Sequence, residues 1–325
     1  MSHLPRVNLD EPRWDQNTYI GRAKYFFTTV NPLNVFASSK TLENSKNIVL
    51  KYKAGEELPK SITMADVYRA KDLYDSAFHP ETGEKMILIG RMSAQVPMNM
   101  IITGCMMTFY KSTPAVVFWQ WVNQSFNAVV NYTNRSGSSS IPVDQLAKSY
   151  VLATGGALVT AISLNRMVTK APSLIGRLVP FAAVAAANCI NIPMMRMKEL
   201  KEGVTVFDEN NNKLGESKIA AQTGIAAVVF SRILMATPSM VMTPVVGNML
   251  DRKGVFRRYP WSPAPIQMLL CGFFLTFATP MACALFSQRA QISVSRLEDT
   301  IKKEAEELKP PPTVVYFKQR PLNTI

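Results

Sequence analysis

Five stretches of this chain contain no aspartate, glutamate, lysine or arginine: Met92–Tyr110, Ser112–Asn134, Ser149–Asn165, Leu178–Met195 and Tyr259–Gln288. A sixth, Ile219–Leu250, holds a single charge, Arg232. Uncharged, largely apolar runs of about 17 or more residues are long enough to cross a bilayer as helices. Several in one chain predict an all-α polytopic membrane protein with about five transmembrane helices, some proline-broken, and an N-terminal helical extramembrane region. The mean hydropathy of +0.04 conceals this, because residues 1–91 are rich in charge. The runs divide the chain into an extramembrane region at 1–95, a transmembrane helical domain at 96–288, and a C-terminal helix and tail at 289–325.

The net charge of +13 does not form one basic stripe interleaved with aromatics, so nucleic acid is not an expected partner. The basic residues sit between the runs instead. Arg166, Lys170 and Arg177 fill one connection, and Arg252, Lys253, Arg257 and Arg258 fill another. With spans near 101–120, 149–167, 178–195, 227–249 and 266–286, both basic loops and the Lys85–Arg91 flank fall on one side. The four cysteines, Cys105, Cys189, Cys271 and Cys283, lie inside apolar runs without a C-x-x-C pair, so neither a disulfide framework nor a metal site is expected. No cofactor motif is present. The N-terminal MSHLPRVNLDEPRWDQ lacks the apolar core of a cleavable signal.

In the charged region, Thr63 is a predicted N-cap leading into Asp66, and FHPETGEKM carries turn chemistry in Pro80 and Gly83. Further on, KEGVTVFDENNNKLGES opens like a calcium loop but has Lys213 in place of the glycine and Ile219 in place of the closing glutamate, so a hairpin is predicted. VSRLEDTIKKEAEELK reads as a surface helix stopped by prolines, and the last dozen residues as an exposed tail.

Inside the runs, Pro193, Pro238, Pro244 and Pro280 each remove a backbone donor, and the freed carbonyls need protein or a polar cavity. Arg232 faces a cavity or partner if its span begins before it, and is an interfacial anchor if the span begins at Ile233. The stretch QWVNQSFNAVVNYTN carries six amides: Gln120, Asn123, Gln124, Asn127, Asn131 and Asn134. At about 100° per residue they occupy an arc of roughly 100°, with Phe118 and Val129 opposite. Such a face suits an interfacial helix, amide bonding between helices, or a wall of neutral donors and acceptors facing a small zwitterion. Catalysis has little support, because P-loop, dinucleotide-binding and serine-hydrolase motifs are all absent and the histidines are only His3 and His79. No catalytic residues are therefore assigned.

The blocks EPRWDQ (11–16), YDSAFHPETGEKMILIGRMSAQVPMNM (74–100), FWQWVNQSFNAVVNYTNRSG (118–137), PFAAVAAANCINIP (180–193) and FATPMACALF (277–286) resemble the sideroflexins. The resemblance is closest to the sub-group that includes mitochondrial serine carriers. Glu81 stands where that family's turn motif has aspartate. The resemblance implies a multi-pass protein of the mitochondrial inner membrane with its N-terminal region on the matrix side and its C-terminal tail in the intermembrane space. It also implies amino-acid transport, with L-serine and other small neutral amino acids as substrates, feeding one-carbon metabolism. Besides these, the lipid bilayer is the expected partner. The candidate substrate-binding residues are Gln120, Asn123, Gln124, Asn127, Asn131, Asn188, Asn191 and Arg232. A gating turn is assigned to His79, Pro80, Glu81, Thr82 and Gly83. The competing expectation is a membrane scaffold or assembly factor that carries nothing, or a carrier of another small metabolite, citrate or one linked to iron.

Overall fold

The computed structural model describes residues 5–79, 82–134, 143–167, 173–287, 289–307 and 311–318. Its N-terminal region is three helices, α1 (Tyr19–Thr29), α2 (Ser39–Ala54) and α3 (Met64–Ala77). Local chemistry sets their ends. The Thr63 and Asp66 side chains cap each other's backbone N–H at the start of α3, and Gly55 closes α2 at φ 82°, where a side chain would be strained. Val49 and Tyr52 of α2 pack on Val67 and Ala70 of α3, and Leu42 on Leu73 and Ala77, so the two helices share a small core.

The membrane domain begins with α4 (Gln95–Thr108) and α5 (Thr113–Thr133). Here the structure corrects the predicted span at 101–120. The chain turns at Phe109–Ser112, beside Lys111 and ahead of Pro114, and α5 runs back so that Asn134 donates to the carbonyl of Gly90 at 2.9 Å. Next come α6 (Val143–Met167) and α7 (Ser173–Met195), an antiparallel pair that buries the small residues Ala153, Ala157 and Ala161 of α6 and Ala183 and Ala187 of α7. After the short α8 (Met197–Glu202) and the hairpin β1 (Val204–Phe207) and β2 (Lys213–Ser217), α9 (Lys218–Thr237) continues through a π turn, Pro238–Met242, into α10 (Thr243–Arg252). The one-turn α11 (Val255–Arg258) leads to α12 (Pro263–Cys283). Four of these segments are long and apolar enough to cross a membrane: Asp144–Met167, Ile175–Met195, Lys218–Arg252 and Pro263–Cys283. This is a helical multi-pass membrane protein. Of the expected proline breaks, only that at Pro238 and Pro244 interrupts the α-helical pattern; α7 passes through Pro193 and α12 through Pro280.

Contacts along the bundle fix which ends lie together. Arg22 of α1 donates to the carbonyl of Ala284 at 2.7 Å, Gln145 of α6 to that of Met194 at 2.7 Å, and Gly90 lies against Thr133. At the other end Asn165 donates to the carbonyl of Tyr110 and Arg177 pairs with Asp251. The N-terminal region, the hairpin and the residues after α12 thus share one end. Lys111, Arg166, Arg177 and Arg252–Arg258 share the other. The expectation that the Lys85–Arg91 flank sits with the basic loops, and that the two terminal regions lie on opposite sides, is corrected by the α4–α5 hairpin, which replaces one crossing with an even number.

The C-terminal segment is also not simply a helix and tail. It contributes β3 (Arg289–Ser293), α13 (Asp299–Glu306) and β4 (Val314–Lys318), and the strands join the hairpin in an antiparallel sheet of order β2-β1-β4-β3. Val206 and Ala290 both pair with Phe317, and this sheet buries Leu214, Ile292 and Val315 against Ile301 of α13. Glu298 locks the segment to the start of α9: its carboxylate accepts from the backbone N–H of Lys218 (2.7 Å) and Ile219 (3.0 Å) and from the Ser217 hydroxyl (2.7 Å). Burial pushes the carboxyl up, but the bonds from Ser217, Ile219 and Lys218 outweigh it and hold Glu298 below the ordinary glutamate value of 4.5. A depressed folded pKa stabilises the fold above the ordinary value, and that contribution is lost as pH falls through the folded value. Thermal unfolding of Glu298→Gln is therefore expected to lose about 1 kcal/mol at neutral pH and to show a flatter decline than the parent below about pH 4.5.

Helix α12 is packed tightly against α4 by reciprocal glycines. A Cβ on Gly104 would lie 2.8 Å from the Met268 Cα, and one on Gly272 would lie 2.4 Å from the Met100 Sδ. Because the obstacles at Gly104 include the backbone of Met268 as well as its side chain, Gly104→Val is expected to destabilise the bundle by about 3 kcal/mol. A lowered unfolding midpoint in detergent checks this.

Candidate functional site

Where the α9 helix loosens into its π turn, the bundle encloses an open cavity of about 910 Å³, its mouth included. Each wall is a helical stripe. Gln95, Asn99 and Thr103 come from α4, Asn123, Asn127 and Val130 from α5, Val184 and Asn188 from α7, and Leu275, Thr279 and Cys283 from α12. These spacings of three and four residues are those that align side chains on one helix face. Arg232, Met235 and Ala236 of α9, Ser239 and Met240 of the π turn, and Met92 just before α4 complete the lining. Pro238 has no N–H and Pro244 has none either, so the regular ladder gives way here and the wider turn brings Ser239 and Met240 to the cavity.

The lining is polar but holds one formal charge, Arg232, and no carboxylate. Two amide nitrogens at its wall, Gln95 Nε2 and Asn123 Nδ2, are buried without a protein partner. With the Arg232 guanidinium they form a set of donors suited to an acceptor with several lone pairs, such as a carboxylate. Acceptors are also present. Asn99 donates its Nδ2 to the Gln95 carbonyl at 2.8 Å, which leaves Oδ1 as that side chain's other polar atom; Ser239 donates to the Ala236 carbonyl at 2.9 Å and keeps its lone pairs. Neutral acceptors in the same lining as donors and a single cation can hold both ends of a zwitterion.

The amide face of α5 points into the protein. Gln120, Asn123, Gln124, Asn131 and Asn134 are all buried, while Phe118 and Trp121 on the other face are each 50% exposed. Of the eight candidate substrate-binding residues, the structure brings Asn123, Asn127, Asn188 and Arg232 together at the cavity. Gln120 lines a separate, smaller cavity, and Gln124, Asn131 and Asn191 line neither. The turn assigned to gating lies elsewhere, against α2: His79 and Gly83 are bonded across it, Thr82 donates its N–H to His79 Nδ1 at 3.2 Å, and Lys46 donates to the Gly83 carbonyl at 2.8 Å. Pro80 and Glu81 fall outside the described residues. Sequence reasoning missed Gln95, Asn99, Thr103, Ser239 and Thr279; the i, i+4, i+8 spacing of the first three was a signal within reach.

Among the described residues, no cluster of three or more metal-ligating side chains occurs. No solved structure matches the chain. The chain is 61% identical to Sideroflexin-1-3 of Drosophila melanogaster over 98% of its own length and 99% of that protein's. It is 57% identical to Sideroflexin-1 of Homo sapiens, covering 96% and 97% of the two chains, and 56% identical to Sideroflexin-3 of Rattus norvegicus, covering 98% and 99%. The family model described as Sideroflexins matches residues 8–319. A match of that length, with relatives this similar over whole chains, establishes that the chain belongs to the sideroflexin family.

Proposed function

We propose that the chain is a carrier of the mitochondrial inner membrane that imports small neutral amino acids, L-serine foremost, into the matrix, where serine supplies one-carbon metabolism. The observation that carries this reading is the cavity at the π turn, with one cation, no carboxylate and a lining of amides and hydroxyls. A monocarboxylate zwitterion matches that inventory: its carboxylate meets Arg232, Gln95 and Asn123, and its ammonium meets neutral acceptors such as Asn99 and Ser239. A citrate trianion would place three negative charges beside one guanidinium in a site of low dielectric, which is unfavourable by several kcal/mol. A cationic amino acid would bring like charge to Arg232.

The basic end of the bundle, with Lys111, Arg166, Arg177 and Arg252–Arg258, suits the matrix by the positive-inside rule. In this orientation the N-terminal helices and the sheet both face the intermembrane space.

The test is uptake of labelled L-serine, with citrate as control, by the purified full chain in proteoliposomes. Saturable serine uptake is expected, and Asn127→Ala is expected to lower its kcat/KM roughly five- to tenfold, the loss of about one hydrogen bond. Asn191→Ala, outside the lining, is expected to stay within about twofold of the parent. Uptake no greater than in protein-free vesicles would return the chain to the scaffold reading.

A further inference from the structure

The small cavity lies on the same helix faces as the large one. With its mouth included it measures about 250 Å³, and it is lined by Met106 of α4, Tyr110 of the turn that follows, Val116 and Gln120 of α5, Asn165 of α6 and Val179 of α7, among others. Taken together, the two linings read 95, 99, 103 and 106 on α4, with Tyr110 in the turn just beyond it, and 116, 120, 123, 127 and 130 on α5. On α7 they read 179, 180, 184 and 188. Steps of three and four keep to one helical face, so α4, α5 and, from Pro180 onward, α7 each present one continuous face to both cavities. What parts them is one helical step on each wall.

Gln120 and Asn165 bring amides to the small cavity, and Asn165 already donates to the Tyr110 carbonyl; Gln120 is the one with an unmatched atom. It is 2% exposed, and its Oε1 is buried without a protein partner, a state that marks a place for water or for a donor-bearing ligand. Beyond it the route is closed. The Arg177 guanidinium carbon lies 5.9 Å from the Tyr110 ring centroid, and Nη2 reaches Asp251 Oδ2 at 3.3 Å, tying the start of α7 to the end of α10. Gly247 permits this approach, since a Cβ there would fall 3.3 Å from Arg177 Nη1. Asp251 is 44% exposed, so the pair is hydrated on one side. A pair of this kind biases a conformation without locking it.

We propose that the small cavity is the far vestibule of one substrate path that starts at the large cavity, and that the Arg177–Asp251 pair over Tyr110 is the bolt that closes it. The Gln120 carboxamide oxygen then receives the ammonium of a small zwitterion as it leaves the large cavity. This inference rests on the carrier reading above. Opening needs α7 and α10 to part at the basic end and the one-step constriction between the two cavities to widen.

The experiment reads access rather than transport. The full chain, with its four cysteines replaced, is reconstituted carrying Gln120→Cys, and a membrane-impermeant thiol reagent is added from the face that bears Arg257. Adding Asp251→Asn is expected to raise the modification rate roughly fivefold, the population shift that follows loss of a half-exposed ion pair. Asn165→Cys is a second reporter on the same cavity and decides the matter if the Gln120 variant aggregates. If Asp251→Asn raises the rate in a protein that takes up no serine, the path stands and the substrate reading falls. If serine is taken up while both reporters keep their rates with and without Asp251→Asn, the path and its bolt are overturned and the substrate reading stands.

Discussion

Replacing Arg232 with methionine is expected to reduce serine uptake at subsaturating concentration by at least about thirtyfold. Removing the cation from a desolvated ion pair costs about 2–5 kcal/mol, because the substrate carboxylate would then be buried with only amide donors around it. Methionine keeps most of the aliphatic volume, so the variant changes charge more than packing. Arg232→Lys restores the charge without the planar fork and is expected to recover part of the activity. Gel filtration and thermal unfolding separate these outcomes from misfolding. Parent-level uptake by a folded Arg232→Met protein would remove the residue from the site.

The second large effect is all-or-none and concerns orientation. In mitochondria whose outer membrane is ruptured and whose inner membrane is intact, an impermeant thiol reagent is expected to label both Lys51→Cys on α2 and Lys303→Cys on α13. Arg257→Cys, on α11, is expected to react only after the inner membrane is opened. The reason is the count of crossings. Helices α6, α7, α9–α10 and α12 contribute four, and the α4–α5 hairpin contributes an even number however deeply it is seated. Labelling of Lys51→Cys and Lys303→Cys from opposite sides would mean that the hairpin is not the arrangement in the membrane.

The parts of this structure written in local chemistry were legible in the sequence. Thr63 caps α3 with Asp66 as predicted, the Asn-rich turn closes a hairpin through Asp208 and Asn212, and the charge-free runs become the long helices. What failed was the break between two of those runs. A lysine followed by serine and threonine at 111–113 is too weak an interruption to divide an apolar run, yet Pro114 fits the first turn of a new helix and the chain reverses there. Reading α4 from residue 101 left its first turns out, and with them Gln95 and Asn99.

The hydroxyls were hidden for another reason. Serine and threonine inside apolar helices commonly bond the carbonyl four residues back, as Thr237 does to Ile233 and Thr276 to Gly272, so Thr279 carries no distinguishing mark until α12 is set beside α9. The amide arc of α5 is also wider than the cavity it faces. Asn123 and Asn127 sit at the opening, whereas Gln124 and Asn131 share the buried face without reaching it. Strands β3 and β4 escaped because five residues each, RAQIS and VVYFK, pair with one another across α13, and only β4 then meets the hairpin, more than a hundred residues away in the chain.

Occupancy of the cavity can be measured without transport. Asn127→Cys, in the full chain with its own cysteines replaced, is exposed to a small thiol reagent over a range of L-serine concentrations. Serine is expected to slow modification in a saturable way, citrate is expected not to, and Arg232→Met is expected to abolish the protection. Modification of Asn127→Cys at one rate regardless of serine, in a protein that still takes serine up, would contradict the assignment of this cavity as the place where the amino acid binds.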